Sequence, residues 1–228
     1  MHGIDEWMES LKAQLLQEFG GRLLYVGLQG SYRRGEANPG SDIDVMVVLD
    51  SLDIDDIKKY KSIISSMEMN EKACGFICGK GEISNWPRHE IFQLLNDTSD
   101  NYGTLGDLVP EVQREDIIRM VHINAANIYH EMCHRFIYSK HNNDINKLYG
   151  AYKIAFYILQ NLYYLRNGMC LTTKAELLGK LDGLDKDILQ RLVDWKASSS
   201  EVDNNSSVRF NDYLGAMLTW SGGLVKSM

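Results

Sequence analysis

Between residues 22 and 49 two short apolar runs flank a glycine-rich loop, and this arrangement narrows the fold more than any other stretch of the chain. Leu23-Leu24-Tyr25-Val26-Gly27-Leu28 reads as a buried strand. Residues 29–41 hold Gly30, Gly35, Pro39 and Gly40, which interrupt regular structure. Asp42 to Leu49 reads as a second strand, apolar from Val45 onward and acidic only at its entrance. Residues two apart on a strand project from one side, so Asp42 and Asp44 can face a common point while Ile43 packs behind them. Paired carboxylates of this kind suit hard divalent cations that bridge phosphate oxygens. Gly30 allows backbone to approach a phosphate, and Ser31 offers a hydroxyl and an amide donor. Ser41, next to the acidic pair, joins these as a candidate nucleotide contact.

Gly30-Ser31 followed by Asp42-Ile43-Asp44 resembles the signature of the polymerase-β-like nucleotidyltransferase superfamily, and the match is firm over residues 22–49. That resemblance implies a mixed sheet flanked by helices, two Mg²⁺ ions held by three carboxylates, and transfer of a nucleoside monophosphate with release of pyrophosphate. ATP is the donor it implies. In the subgroup that adenylates streptomycin and spectinomycin, a Pro-containing link leads to a strand bearing a third acidic residue, and Trp86-Pro87-Arg88-His89-Glu90-Ile91-Phe92-Gln93 looks similar. Glu90 is therefore the expected third metal ligand and the candidate base for an acceptor hydroxyl. Tyr164 to Glu176 resembles a segment in those relatives where a helix ends at Gly and a Thr-Lys begins the next, which makes Lys174 a candidate triphosphate contact. The kanamycin-type transferases supply a Glu from their helical domain, and Glu131 is the loose counterpart here. Arg33 and Arg34 in the loop are further candidates for neutralising phosphate.

The remaining pattern divides the chain. Ile4, Leu11, Leu15 and Leu16 recur at helical spacing and Gly20-Gly21 closes that helix. Residues 53–69 read as a charged surface helix, and 73–78 and 90–95 as short strands joined by a link with Gly79, Gly81 and Pro87. From Arg114 the texture is helical, over roughly 114–140, 144–167, 174–182, 185–197 and 209–226. The expectation is an α/β (α+β) nucleotidyltransferase fold over residues 1–105 and a helical bundle that binds substrate and nucleotide over 106–228. Tyr149, Tyr152, Phe156, Tyr157, Tyr163 and Tyr164 are expected in the core of that bundle.

Other motifs compete. His130-Glu131-Met132-Cys133-His134 fits the His-Glu-x-x-His pattern of zinc hydrolases, with His141 as a conceivable third ligand. Arg135 and His141 fit the loose spacing of HEPN-type ribonucleases, some of which pair with nucleotidyltransferases in toxin–antitoxin systems. Protein adenylylation, and nucleotide binding without turnover, are further alternatives to transfer onto a small acceptor.

Charge limits the partners. The chain has 24 basic and 31 acidic side chains, a net charge of −7, and no Lys/Arg-rich run, which argues against nucleic acid and favours a small or cationic acceptor such as an amino sugar. An antibiotic-resistance-like role fits that acceptor. Cys74, Cys78, Cys133 and Cys170 form no Cys-x-x-Cys pair and are expected as buried free thiols. The absence of a signal-like start or a long apolar segment leads to the expectation of a cytoplasmic protein with no membrane partner, monomeric or homodimeric.

Overall fold

The apolar spacing near the start becomes a helix whose buried stripe lies on a sheet. The computed structural model describes residues 2–138, 148–197 and 206–227, and contact clustering divides the chain into Met1–Val112 and Gln113–Met228. In the first unit α1 (His2–Phe19) is followed by β1 (Leu23–Gln29), a short α2 (Gly30–Arg33), β2 (Ile43–Leu49) and α3 (Ile54–Ser66). Then come β3 (Ala73–Gly79), α4 (Lys80–Ser84), α5 (Arg88–Asp97) and β4 (Thr98–Tyr102). The four strands lie in the order β3-β2-β1-β4, with β1 antiparallel to β2 and β4, and β2 parallel to β3, so the sheet is mixed as expected.

Alternation along the strands sends side chains into two separate cores. Val26, Leu28, Ile43, Val45 and Val47 meet Trp7, Met8, Leu11 and Leu15 of α1 and partly buried residues of α3. Tyr25, Met46, Val48 and Cys78 project from the opposite face and pack with Ile83 of α4, Ile91 of α5 and Leu105. A sheet apolar on both faces must be covered twice, which explains the nearly uninterrupted apolar character of β2. The helix α3 begins with a capping box in which Asp53 accepts from the Asp56 amide. Asp56 is itself buried, where Arg22 donates to both its oxygens at 2.9 and 2.7 Å. That bidentate guanidinium holds the Asp56 carboxyl below the usual carboxylate range.

The structure corrects the reading of residues 90–95. They are not a strand but the body of α5, entered from Pro87 at its N-cap. Ile91 is fully buried and Leu94 partly buried, three residues apart on one side of the helix. A short apolar run carries both periodicities, and tertiary cover selects the helical one here. The edge strand β4 lies instead at Thr98–Tyr102, in a stretch whose Asp, Asn and Gly content reads as turn.

The second unit is helical: α6 (Arg114–Tyr138), α7 (Tyr149–Asn167), α8 (Lys174–Leu178), α9 (Gly183–Ala197) and α10 (Ser206–Ser227). One core joins them, from Ile128 and Met132 of α6 through Phe156 and Leu159 of α7 to Leu189 and Met217. Tyr152 is buried at its centre, donates to the Tyr213 carbonyl at 2.8 Å and lies 5.5 Å from the Trp195 ring, so it serves packing as expected. Gly168 closes α7 in the left-handed region at φ 71°, which a Cβ would oppose. Among the described residues no helix is long and apolar enough to cross a membrane. Of the four free cysteines only Cys78 is buried, whereas Cys74 and Cys170 are exposed, contrary to the expectation of buried thiols throughout. Burial pushes the Cys78 thiol up to about 11.

Candidate active site

The loop that follows β1 folds back on the strand that carries the acidic pair. Gln29 and Asp44 are register partners across β1 and β2, so the chain between them returns to the same lateral position. Gly30 then adopts φ 67°, and a Cβ at that position would collide with Asp44 Oδ2. The backbone conformation therefore favours glycine, and a Cβ would force the Asp44 carboxylate aside. Ser31, Tyr32 and Arg33 form a single turn, closed by Arg34 N–H donating to the Gly30 carbonyl at 3.1 Å and Glu36 N–H to the Ser31 carbonyl at 2.8 Å. The outcome is a tight backbone turn pressed against one carboxylate. Asp44 is half-buried and Asp42 exposed at the strand entrance. Ser41 is engaged within the loop, where its hydroxyl accepts from the Asn38 amide at 2.9 Å and its own amide donates to the Asn38 carbonyl at 2.9 Å.

Arg34 has a different place from the one its loop position suggests. Its side chain is only 6% exposed, and Nη1 donates to both oxygens of Asp97 at 2.6 and 2.7 Å while Nε donates to Glu36 at 3.2 Å. It anchors the turn to the end of α5 and is not available as a phosphate ligand. A second tie runs beside it: Gln29 donates to Thr98 Oγ1 at 2.8 Å, and Thr98 donates to the Leu94 carbonyl at 2.6 Å. Sequence reasoning missed this scaffold because Asp97 lies more than sixty residues from Arg34 and nothing local marks it. Arg33 remains the half-buried cation of the loop.

Glu90 rides on the first turn of α5, over the sheet face shared with Asp44. Its Oε2 accepts from the Trp86 indole at 2.7 Å, and Trp86 stacks on Phe76 with centroids 5.8 Å apart. The β3 residue beside Asp44 is Cys74. Among the described residues no three His, Cys, Asp or Glu side chains gather as a metal-holding group. Asp42, Asp44 and Glu90, the three carboxylates implied by the resemblance, are therefore not gathered as one such group.

In the helical unit Glu131 pairs with Arg135 one turn along α6. His130 and His134 are exposed with ring centroids 6.3 Å apart, and His134 lies 5.0 Å from the Tyr138 ring. His141, which both the zinc and the ribonuclease readings need, lies outside the described residues. Lys174 opens α8 behind Thr173, whose side chain forms a capping box with Glu176. Its ammonium stands over the Phe156 ring at 4.7 Å, a cation–π contact that orients the side chain.

Residues 8–73, which include the Gly30 turn and both aspartates, match the family described as Nucleotidyltransferase domain. No curated protein sequence matches the chain significantly. Among solved structures the chain is similar to the spectinomycin adenyltransferase AAD(9) from Enterococcus faecialis, solved with ATP and spectinomycin. The TM-score is 0.54 at 14% identity, covering 93% of this chain and 98% of that one. A likeness at that identity is one of fold. A toxin–antitoxin structure solved with AMP-PNP matches 56% of this chain and 91% of its own at 20% identity, but its TM-score of 0.32 carries no argument. Residues 8–73 thus match a nucleotidyltransferase domain, in a chain whose fold is similar to that of an adenyltransferase.

Proposed function

We propose that this protein transfers AMP from ATP to a hydroxyl of a small, cationic acceptor and releases pyrophosphate. The observation that carries the reading is the Gly30-Ser31 turn close against Asp44, which brings a glycine turn and a carboxylate to one point. The match of residues 8–73 to a nucleotidyltransferase domain supports the reaction class, and a fold shared with an enzyme solved with ATP and spectinomycin supports donor and acceptor class. The net charge of −7 agrees with a cationic acceptor.

Gly30 and Ser31 receive the triphosphate through backbone approach and the Ser31 hydroxyl, with Ser41 shaping the far side of the loop. Asp42 and Asp44 would hold Mg²⁺, which when bound neutralises phosphate charge as a Lewis acid. The acceptor oxygen attacks the α-phosphorus, the bond from that phosphorus to its bridging oxygen breaks, and pyrophosphate leaves with the electron pair. Glu90 is the candidate group to take the acceptor proton.

The reading is tested by incubating the protein with Mg²⁺, each nucleoside triphosphate and a panel of amino-sugar and aminocyclitol acceptors while following pyrophosphate. Acceptor-dependent release that disappears in Asp42→Ala/Asp44→Ala is expected. No release with any acceptor, together with no cation-dependent ATP binding sensitive to that double substitution, would refute it.

A further inference from the structure

We infer that Gln29 presents a fixed oxygen acceptor, Oε1, beside Asp44, and that this oxygen receives a hydrogen bond from a water of the divalent cation accompanying the triphosphate. The inference rests on the transfer reading above and adds a neutral residue to its cation site. Gln29 is the register partner of Asp44 on one flank, across β1 and β2, and of Thr98 on the other, across β1 and β4. Lateral partners project from the same face of a sheet, with Cβ atoms about 4.5–5.5 Å apart. Burial identifies that face: Tyr25, four residues before Gln29, and Met46, two after Asp44, share one core, whereas Leu28 and Val45 belong to the opposite one. Asp44, Gln29 and Thr98 therefore stand in one row across three strands.

A glutamine amide can offer either a donor or an acceptor, and its hydrogen bonds settle which one is offered here. Thr98 is 8% exposed, and its hydroxyl proton is committed to the Leu94 carbonyl at 2.6 Å, a group that can only accept. Toward Gln29 the hydroxyl can then only accept, so Nε2 donates to it at 2.8 Å. An amide carries its nitrogen and oxygen on opposite sides of the Cγ–Cδ bond, which leaves Oε1 turned from β4. That oxygen accepts from none of the described residues and is not sealed from water. Mg²⁺ keeps several waters when one or two carboxylates and phosphates hold it, and a water on a cation directs its protons outward. The neighbour of such an ion must accept, and an amide with its NH₂ outward would repel it. Gln29 locked in this orientation suits a hydrated cation and disfavours a phosphate oxygen.

Mn²⁺ binding to the full chain with a non-hydrolysable ATP analogue, followed by electron paramagnetic resonance, tests this, with analogue binding in EDTA as the metal-free reference. Gln29→Leu removes the amide at similar size and should weaken Mn²⁺ about 3–10-fold, the contribution of one hydrogen bond, while leaving metal-free binding unchanged. Thr98→Val releases the amide from its lock and should weaken Mn²⁺ by a smaller factor, which makes Thr98 a positioning residue. Gln29→Glu keeps an oxygen there and adds a charge, so it should bind Mn²⁺ more tightly than the native protein. Circular dichroism melts check folding, and if one variant does not fold the other two decide. Native Mn²⁺ affinity in Gln29→Leu or Thr98→Val, an equal loss in EDTA, or Mn²⁺ binding in Gln29→Glu no tighter than in Gln29→Leu would overturn the inference and leave the transfer reading standing. No nucleotide-dependent Mn²⁺ on the native protein would refute the transfer reading itself, and this inference with it.

Discussion

Replacing Gly30 by alanine should damage the turn and the acidic strand together, and the two contributions can be separated. At φ 67° an alanine pays for the left-handed conformation, about 1–2 kcal/mol. Its Cβ would also collide with Asp44 Oδ2, and relieving such overpacking typically costs about 1–3 kcal/mol. The expected loss in Gly30→Ala is their sum, about 2–5 kcal/mol. Truncating Asp44 to alanine removes the atom that is struck, so in the Asp44→Ala background the same glycine substitution should cost only the backbone part, about 1–2 kcal/mol. Native-state hydrogen exchange of the β1 and β2 amides reads the first unit without assuming that both units unfold together. Equal costs in the two backgrounds would show that Gly30 does not press on Asp44 and would remove the observation on which the transfer reading stands. A cost below about 1 kcal/mol in the native background would refute the left-handed turn as well.

Asp97→Ala strands the Arg34 guanidinium, which is 6% exposed, with Glu36 as its remaining acidic partner in the turn. Losing one partner of such a pair should cost about 3–5 kcal/mol and weaken ATP binding by loosening the turn, whereas a loss within about 0.5 kcal/mol would deny the anchor. The lowered pKa of Asp56 means stability present above the unfolded carboxyl value near pH ~4 and lost as pH falls below it through the folded value. Thermal melts from pH ~6 down to ~2.5 should show that loss, and Arg22→Met should flatten it; identical profiles would contradict the pairing. For Cys78, raised from 9.0 to about 11, stability is full below 9.0 and falls as pH rises toward 11, so Cys78→Ala should melt with a weaker alkaline dependence than the native protein. An unchanged alkaline slope would place that thiol outside the core.

The strand–loop–strand around Gly30 and Asp44 was legible in the sequence because its signals are local. Gly30, Ser31, Asp42 and Asp44 lie within fifteen residues, and a strand–loop–strand pattern with glycine at the turn and alternation at the acidic pair leaves few ways to fold. The helical texture after Arg114 was legible for the same reason, since a 3.6-residue period accumulates over long segments. Short segments were not. Residues 90–95 have too few apolar positions to separate a strand from a helix, and only the core formed by Tyr25, Met46 and Val48 selects the helix that carries Glu90.

Three features were set by tertiary structure alone: the burial of Arg34 against Asp97, the closeness of Gly30 to Asp44 Oδ2, and the identity of the residue beside Asp44. The sequence by itself determined that a glycine turn leads from one strand to a second with acidic residues at its entrance. Which side chain stands beside Asp44 depends on how β2 and β3 align. Register is a non-local property fixed by burying both faces of the sheet at once, and it brings Cys74 next to Asp44 although thirty residues separate them in the chain.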